Sequence, residues 1–363
     1  MPITLARYFG ARFLSAVVAV FGGVFMLVVL IRYVELMRKT SDIPDASAWL
    51  VAKTSFYSVP QLTERLLPFA VLVGAMTCYL NLSRRLELVV ARAAGVSAWQ
   101  FVAPAVAVAL VLGVAATTIY NPVSAALQEQ SKRLEAELFG ERETTVQESR
   151  GSGFWVRQKS VDGQSVINAQ SSREQGAVLG GVTVFTFDPS GGFRERIEAK
   201  TAEIEPGHWR LGQARIYAPG AAPREFESYF LSTNLTPEQV RESFATPETV
   251  SFWQLPLFID LADRAGVGAT GYRLQFQLLL ARPFLLAAMV MLAACVSLRF
   301  FRIGGVSSMV LSGIGAGFLL YVLSKVTEDM SKAELMLPAA AAWLPVLVGG
   351  LTGFVVLLYQ EDG

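Results

Sequence analysis

The 363-residue sequence predicts an α-helical membrane protein with six transmembrane helices and an antiparallel β-domain inserted between the third and the fourth. Two observations predict it. Hydrophobic residues make up 53% of the chain and charged residues 17%, below the roughly 25% usual for a soluble domain. The charges are also confined: residues 121–273 hold 16 of the 31 Lys and Arg and 20 of the 30 Asp and Glu, so one polar block stands between two apolar flanks. The net charge of +1 averages over these unlike parts, and without strong basicity the chain carries no footprint for nucleic acid. Cys78 and Cys295 both lie in apolar runs, which excludes a disulfide framework.

A helix needs about 20 apolar residues to cross about 30 Å of hydrocarbon. Residues 13–31, 66–83, 98–128, 303–324 and 335–360 contain no Asp, Glu, Lys or Arg and read as five spans. A sixth, at about 274–298, is interrupted by Arg282-Pro283 and is kept because the run after it needs a partner to return the chain. The first run is too long for a secretory signal and has no small-x-small cleavage site before Arg32, so it is read as a span. The third should leave the membrane near Tyr120-Asn121-Pro122, where proline restricts the preceding residue and the sequence turns polar.

Basic residues in short loops orient the bundle. With the N-terminus inside, Arg7, Arg12, Arg84, Arg85, Arg92, Arg299 and Arg302 fall on the cytoplasmic face against Glu87 alone, ahead of the acidic tail Glu361-Asp362. Both termini are then cytoplasmic, and the polar block lies on the opposite side. This gives three parts: spans one to three over 1–128, the β-domain with its connectors over 129–268, and spans four to six over 269–363.

The early part of the block, 128–148, is rich in Glu, Gln, Lys, Arg and Leu and can extend the third helix. Beyond Gly151 the pattern turns to β. Residues 154–156 and 165–167 flank Asp162-Gly163, a favoured hairpin turn. Residues 182–187 form a β-branched and aromatic run that ends at Asp188-Pro189-Ser190-Gly191-Gly192, and shorter strands fit 193–199, 208–211, 214–217 and 225–231. Strands at about ten-residue spacing suit an antiparallel sandwich or an open barrel.

The chemistry is defined partly by absence. The sequence has no Gly-x-x-x-x-Gly-Lys-Ser/Thr loop, so ATP hydrolysis is not expected in this chain. Its one histidine, His208, has no second His or nearby Cys to complete a metal or nucleophile site and reads as structural or surface. No catalytic residue, metal or cofactor is expected.

Three constellations carry a mechanism. Residues 84–95, from Arg84-Arg85 through Glu87 and Arg92 to Gly95, have the length of a three-turn helix on the cytoplasmic face. Gly95 can supply its left-handed cap, and Ser97-x-x-Gln100 a capping box for the next helix. Such a helix either lies along the membrane or inserts into a groove on a cytosolic partner. At the outer end of span one, spacings of three and four place Arg32, Glu35 and Lys39 on one face, with Arg38 beside it. These are either snorkelling anchors paired with Glu35 or a basic rim for an anionic lipid head group. Span five contains Gly304, Gly305, Gly313, Gly315 and Gly317, and Gly313-x-x-x-Gly317 permits close helix approach, as fixed packing or as a moving contact.

The motifs Arg7-Tyr8-Phe9-Gly10, Tyr33-Val34-Glu35-Leu36, Ser58-Val59-Pro60, Leu67-Pro68, Glu87-Leu88-Val89-Val90 with Ala94-Gly95, and Ala342-Trp343-Leu344-Pro345 resemble those of the LptF/LptG permeases of the lipopolysaccharide exporter, most closely the LptG type. The resemblance runs over essentially the whole chain, and its most specific element is the segment from Arg85 to Gly95. It implies a multi-pass protein of the bacterial inner membrane with a periplasmic β-jellyroll. It also implies a heterodimer with an LptF-type permease, two copies of the ATPase LptB that use the ATP, and transfer of lipopolysaccharide towards the bridge protein LptC. By the same resemblance Glu87 lies on the ATPase-coupling helix with Arg84, Arg85 and Arg92. Arg32, Arg38 and Lys39 contact lipid phosphates, and spans one and five form lateral gates in which Gly313 and Gly317 pack. The resemblance assigns no role to Arg282. Two alternatives stand beside this reading: the sister LptF-type subunit, and a membrane-anchored periplasmic sensor or assembly platform without transport.

Overall fold

The computed structural model describes residues 3–41, 47–139, 154–160, 163–173, 177–188, 192–233, 247–265, 269–303 and 306–362. Gly304, Gly305, Asp162 and the end of the 128–148 segment lie outside the described residues. The chain divides into two compact units, one of residues 1–132, 251–253 and 273–363, the other of residues 133–250 and 254–272.

The first unit is helical. Its elements are α1 (Ile3–Lys39), α2 (Ala48–Arg84), the short α3 (Glu87–Ala93), α4 (Ala98–Ala115), and a π-helical segment (Ala116–Tyr120) that leads without a break into α5 (Asn121–Phe139). After the polar block come α6 (Leu255–Ala265), α7 (Thr270–Ile303), α8 (Val306–Lys332) and α9 (Pro338–Asp362), of which α6 belongs to the second unit. Among the described residues, six helices are long and apolar enough to cross a membrane. They run well past the charge-free stretches: α1 has 37 residues, about 55 Å at 1.5 Å per residue, so it overshoots the hydrocarbon.

Small residues set the helix spacing. A Cβ on Gly74 of α2 would overlap the backbone of Val17 on α1, and one on Gly113 of α4 would overlap the backbone of Pro283 on α7. The core between these helices holds Phe9, Phe13, Val71, Met76, Tyr79, Phe101, Leu286, Met289 and Val290.

Among the prolines within the long helices, Pro122, Pro283 and Pro345 each withhold the N–H that the carbonyl four residues earlier would accept. In each case a side chain from elsewhere in the unit replaces it. Trp253 Nε1 donates to the Thr118 carbonyl behind Pro122 at 3.1 Å. Thr117 Oγ1 donates to the Leu279 carbonyl behind Pro283 at 2.9 Å. Thr327 Oγ1 donates to the Ala341 carbonyl behind Pro345 at 2.9 Å. Since lipid offers no hydrogen bonds, such substitutions let a spanning helix keep its proline. At Tyr120-Asn121-Pro122, where the chain is expected to leave the membrane, the helix widens to a π turn and continues to Phe139.

In the second unit, β1 (Phe154–Ser160), β2 (Gly163–Arg173), β3 (Val178–Phe187), β4 (Phe193–Glu205), β5 (His208–Tyr217) and β6 (Arg224–Ser232) form one antiparallel sheet in sequence order. Ser160 pairs with Gly163, so the first hairpin loop is 161–162, one residue earlier than Asp162-Gly163. The two strands expected at 208–211 and 214–217 are one, with the left-handed Gln213 between inward-facing Trp209 and Leu211 and inward-facing Ala214 and Ile216. Ile167, Leu179, Val184, Ile197, Trp209 and Leu211 are all fully buried, which a single sheet achieves only by rolling on itself. Gln158 of β1 closes the roll: its amide donates to the Ser232 carbonyl of β6 at 3.4 Å, and its carbonyl accepts from Trp209 Nε1 at 3.2 Å and Thr233 Oγ1 at 2.6 Å.

Candidate functional site

The segment expected to be one three-turn helix is divided. Helix α2 continues through Arg84, Arg85 caps it, and Leu86 adopts a left-handed conformation at φ 62° before the seven-residue α3 begins at Glu87. Arg84 and Arg85 therefore sit on the end of α2, and only Glu87 and Arg92 lie on α3. The left-handed step, unusual for leucine, re-aims the chain. Gly95 at φ 81° and the reciprocal bonds between Ser97 and Gln100, both 3.3 Å, then start α4 as the sequence indicated.

Helix α3 is anchored on its inner face by Leu88, with Ala91 beside it, and by a hydrogen bond to Glu87. Leu88 is 5% exposed and joins the core of the helical unit, while Leu86, Val89 and Val90 stay in the open, Val90 at 66%. Glu87 accepts a hydrogen bond from Tyr8 Oη at 2.9 Å, and that hydroxyl accepts one from Arg12 Nε at 3.1 Å. A short helix with an anchored inner face, an exposed apolar outer face and a carboxylate at its start is suited to docking.

Near the other end of α1, Glu35 bridges two cations. Its carboxylate pairs with Arg32 Nη1 at 3.0 Å and Lys39 Nζ at 3.1 Å, and Arg32 Nε reaches Ser58 Oγ on α2 at 3.3 Å. Arg38 is exposed and has no ion-pair partner among the described residues. The spacing thus brings Arg32, Glu35 and Lys39 together, with Arg38 outside their ion pairs. Half-exposed pairs such as Glu35–Lys39 contribute about 0–1 kcal/mol and are readily exchanged.

Gly313 and Gly317 face α2, where an added Cβ would meet the side chains of Met76 and Leu72. They pack α8 within this chain. The uncovered face of α8 instead carries Leu311, Ile314, Phe318 and Leu319, and that of α1 carries Val18, Met26, Leu27, Leu30 and Ile31.

Arg282, without a role at the sequence level, forms a buried ion pair with Glu64 of α2. Asn121 Nδ2 donates to Glu64 Oε1 at 2.9 Å and Ser124 Oγ to Oε2 at 2.6 Å, while Asn121 Oδ1 accepts from the Phe252 N–H at 2.8 Å. Tyr120 Oη lies 2.8 Å from Thr63 Oγ1 and donates to the Pro60 carbonyl at 3.1 Å. Sequence reasoning missed Glu64, Ser58 and Tyr8. His208 is structural, set 3.0 Å from Glu205 and edge-on to Phe230.

Six apolar helices around a buried, fully paired ion network, with a rolled β-sheet unit inserted between the third and fourth spans, define an integral multi-pass membrane protein. The chain belongs to the lipopolysaccharide export system permease LptF/LptG family, whose family model matches residues 7–359. It is similar to the lipopolysaccharide export system permease protein LptG of Escherichia coli K12, with 24% identity over 352 residues and 94% of each chain covered. It is likewise similar to the LptG of Haemophilus influenzae, with 24% identity over 363 residues, covering 98% of this chain and 97% of that one. Membership makes this a permease component of lipopolysaccharide export, a transport protein and not itself a catalyst.

Proposed function

We propose that the chain is the LptG-type subunit of an ATP-driven exporter in the bacterial inner membrane, paired with an LptF-type permease, powered by an LptB-type ATPase dimer and delivering to an LptC-type periplasmic bridge. The curated relatives named LptG support the subtype. The observation that carries the reading is α3: a chain with no nucleotide-binding loop presents Leu86, Val89 and Val90 in the open on a helix pinned by buried Leu88.

Lipopolysaccharide enters from the outer leaflet beside α1, its acyl chains against the uncovered apolar faces of α1 and α8. Arg38 offers the first contact to a phosphate. The phosphate then displaces the single carboxylate of Glu35 from Arg32 and Lys39, an exchange made cheap by the weakness of half-exposed pairs. ATP-driven closure of the partner displaces α3, narrows the cavity and moves the lipid towards the β-sheet unit.

Two measurements test this. Detergent-solubilised protein should co-purify a nucleotide-binding subunit, and its reproducible absence favours the platform reading. The double variant Arg32→Glu/Lys39→Glu should lose photo-cross-linking to lipopolysaccharide at the outer end of α1 and retain assembly; undiminished transport removes the rim from the mechanism.

A further inference from the structure

The hydroxyl of Tyr8 is the junction of a three-residue chain that connects α1 to α3. It accepts from Arg12 Nε at 3.1 Å and donates to Glu87 Oε2 at 2.9 Å, a contact spanning 79 positions of sequence. A hydroxyl placed between a guanidinium donor and a carboxylate acceptor makes two charge-assisted bonds that polarise one another. The Arg12 guanidinium also lies over the Tyr8 ring, 5.2 Å from its centroid, which holds the ring in place.

The neighbouring residues keep Tyr8 on firm ground. Phe9 and Phe13 are buried, and Phe9 meets Phe101 of α4 edge-on at 6.5 Å. Helix α1 has no proline from Ile3 to Lys39. A displacement applied at Tyr8 is therefore passed along one unbroken helix to Arg32, 24 residues on, or about 36 Å away. By contrast α3 is fixed by Leu88 and by this hydroxyl, and it is offset from α2 by the left-handed Leu86.

We propose that Tyr8 is a positioning residue for energy coupling: its hydroxyl ties Glu87 of α3 to α1, so that movement of α3 by a docked ATPase is transmitted to α1 and its basic outer end. This rests on the exporter reading above. The tie also presets Glu87 before docking, since the carboxylate is already oriented by a donor within its own chain.

The test uses Tyr8→Phe, which removes one oxygen and keeps the ring. The exporter, with this chain, its permease partner and its ATPase, is reconstituted in proteoliposomes, and lipopolysaccharide transferred per ATP hydrolysed is measured. The ratio should fall at least fivefold in Tyr8→Phe. Spin labels at Ile3→Cys and at Ala94→Cys, the cap that follows α3, both exposed sites away from Leu86, Val89 and Val90 in a chain whose native cysteines are buried, report the separation of α1 from α3. In the wild-type background that distance should be the same with ADP and with vanadate-trapped nucleotide. In Tyr8→Phe it should broaden and become nucleotide-dependent. Should the variant assemble poorly, the same labels in the full chain alone in nanodiscs give the second readout, where Tyr8→Phe should again broaden the distribution. A transfer ratio within twofold of wild type, or unaltered distance distributions, overturns the proposal and leaves the exporter reading intact. Absence of ATP-dependent transfer by the wild-type complex overturns both.

Discussion

Replacing either member of the buried Glu64–Arg282 pair should destabilise the helical unit severely. The side chains are 6% and 14% exposed, and Glu64 accepts further bonds from Asn121 and Ser124, so neither charge can turn to water when its partner is lost. Breaking a buried pair from one side costs about 3–5 kcal/mol, because the remaining charge is stranded. In Arg282→Met the stranded group is Glu64, which still has two donors; in Glu64→Met it is Arg282, together with an unpaired Asn121 amide, while Ser124 Oγ keeps the Asn121 carbonyl. Glu64→Met should therefore be the worse of the two. Thermal unfolding of the purified chain in mild detergent, followed by exposure of Cys78 and Cys295 to a fluorogenic maleimide, should register a fall on the order of 10 °C in each single variant. The double variant Glu64→Met/Arg282→Met, with no charge left to strand, should recover most of that loss. Single variants within about 2 °C of wild type, or a double variant worse than both singles together, would refute the argument.

Two further substitutions probe the packing, with the same unfolding assay. Gly113→Ala sets a methyl against the backbone of Pro283 and should cost about 1–3 kcal/mol, whereas Gly317→Ala meets only the mobile end of Leu72 and should cost less than about 1 kcal/mol. Equal effects would show that α4 and α7 separate freely. Thr117→Val leaves the Leu279 carbonyl without its donor and should cost about 1–3 kcal/mol; if it is neutral, the carbonyl finds another partner.

Five of the six spans were legible as charge-free runs, and the sixth, which contains Arg282, because the chain had to return. Their ends were not, since nothing in hydropathy stops a helix at the membrane surface: α1 carries on through Arg32, Glu35 and Lys39. That the helix runs on past Pro122 has a reason the local sequence does not carry: the lost N–H is replaced by the indole of Trp253, 131 residues away. Glu64 went unread because a search for uncharged runs places any charge outside the span. Yet Arg282 in an apolar run asks for an acid at its own depth, and the spacing held the answer. Glu64 lies 20 residues before Arg84 and Arg282 lies 17 before Arg299, so both sit about 25–30 Å from the basic ends of their helices. Over 84–95, helix propensity reads one continuous helix, since no residue preference announces the left-handed Leu86. The grouping of Arg32, Glu35 and Lys39 was legible in the i, i+3 and i, i+4 spacing, whereas Ser58, which reaches Arg32 from α2, was not.

The π turn at Ala116–Tyr120 also bears on how this gene can change length. A π turn holds one residue more than plain α-helix needs for the same advance. If the segment were ordinary α, every residue from Asn121 onward would be turned by about 100° and shifted by 1.5 Å, and Asn121 and Ser124 would no longer point at Glu64. Loss of the codon for exposed Ile119 should therefore disturb the fold least, because it removes the surplus residue, spares the bonds of Thr117, Thr118 and Tyr120, and leaves the downstream face in phase. The same deletion a few turns later would rotate the rest of the helix out of register. Relatives in which this span is one residue shorter here can keep the same buried contacts, and an aligned gap at this point is a change of helix type and not of helix face.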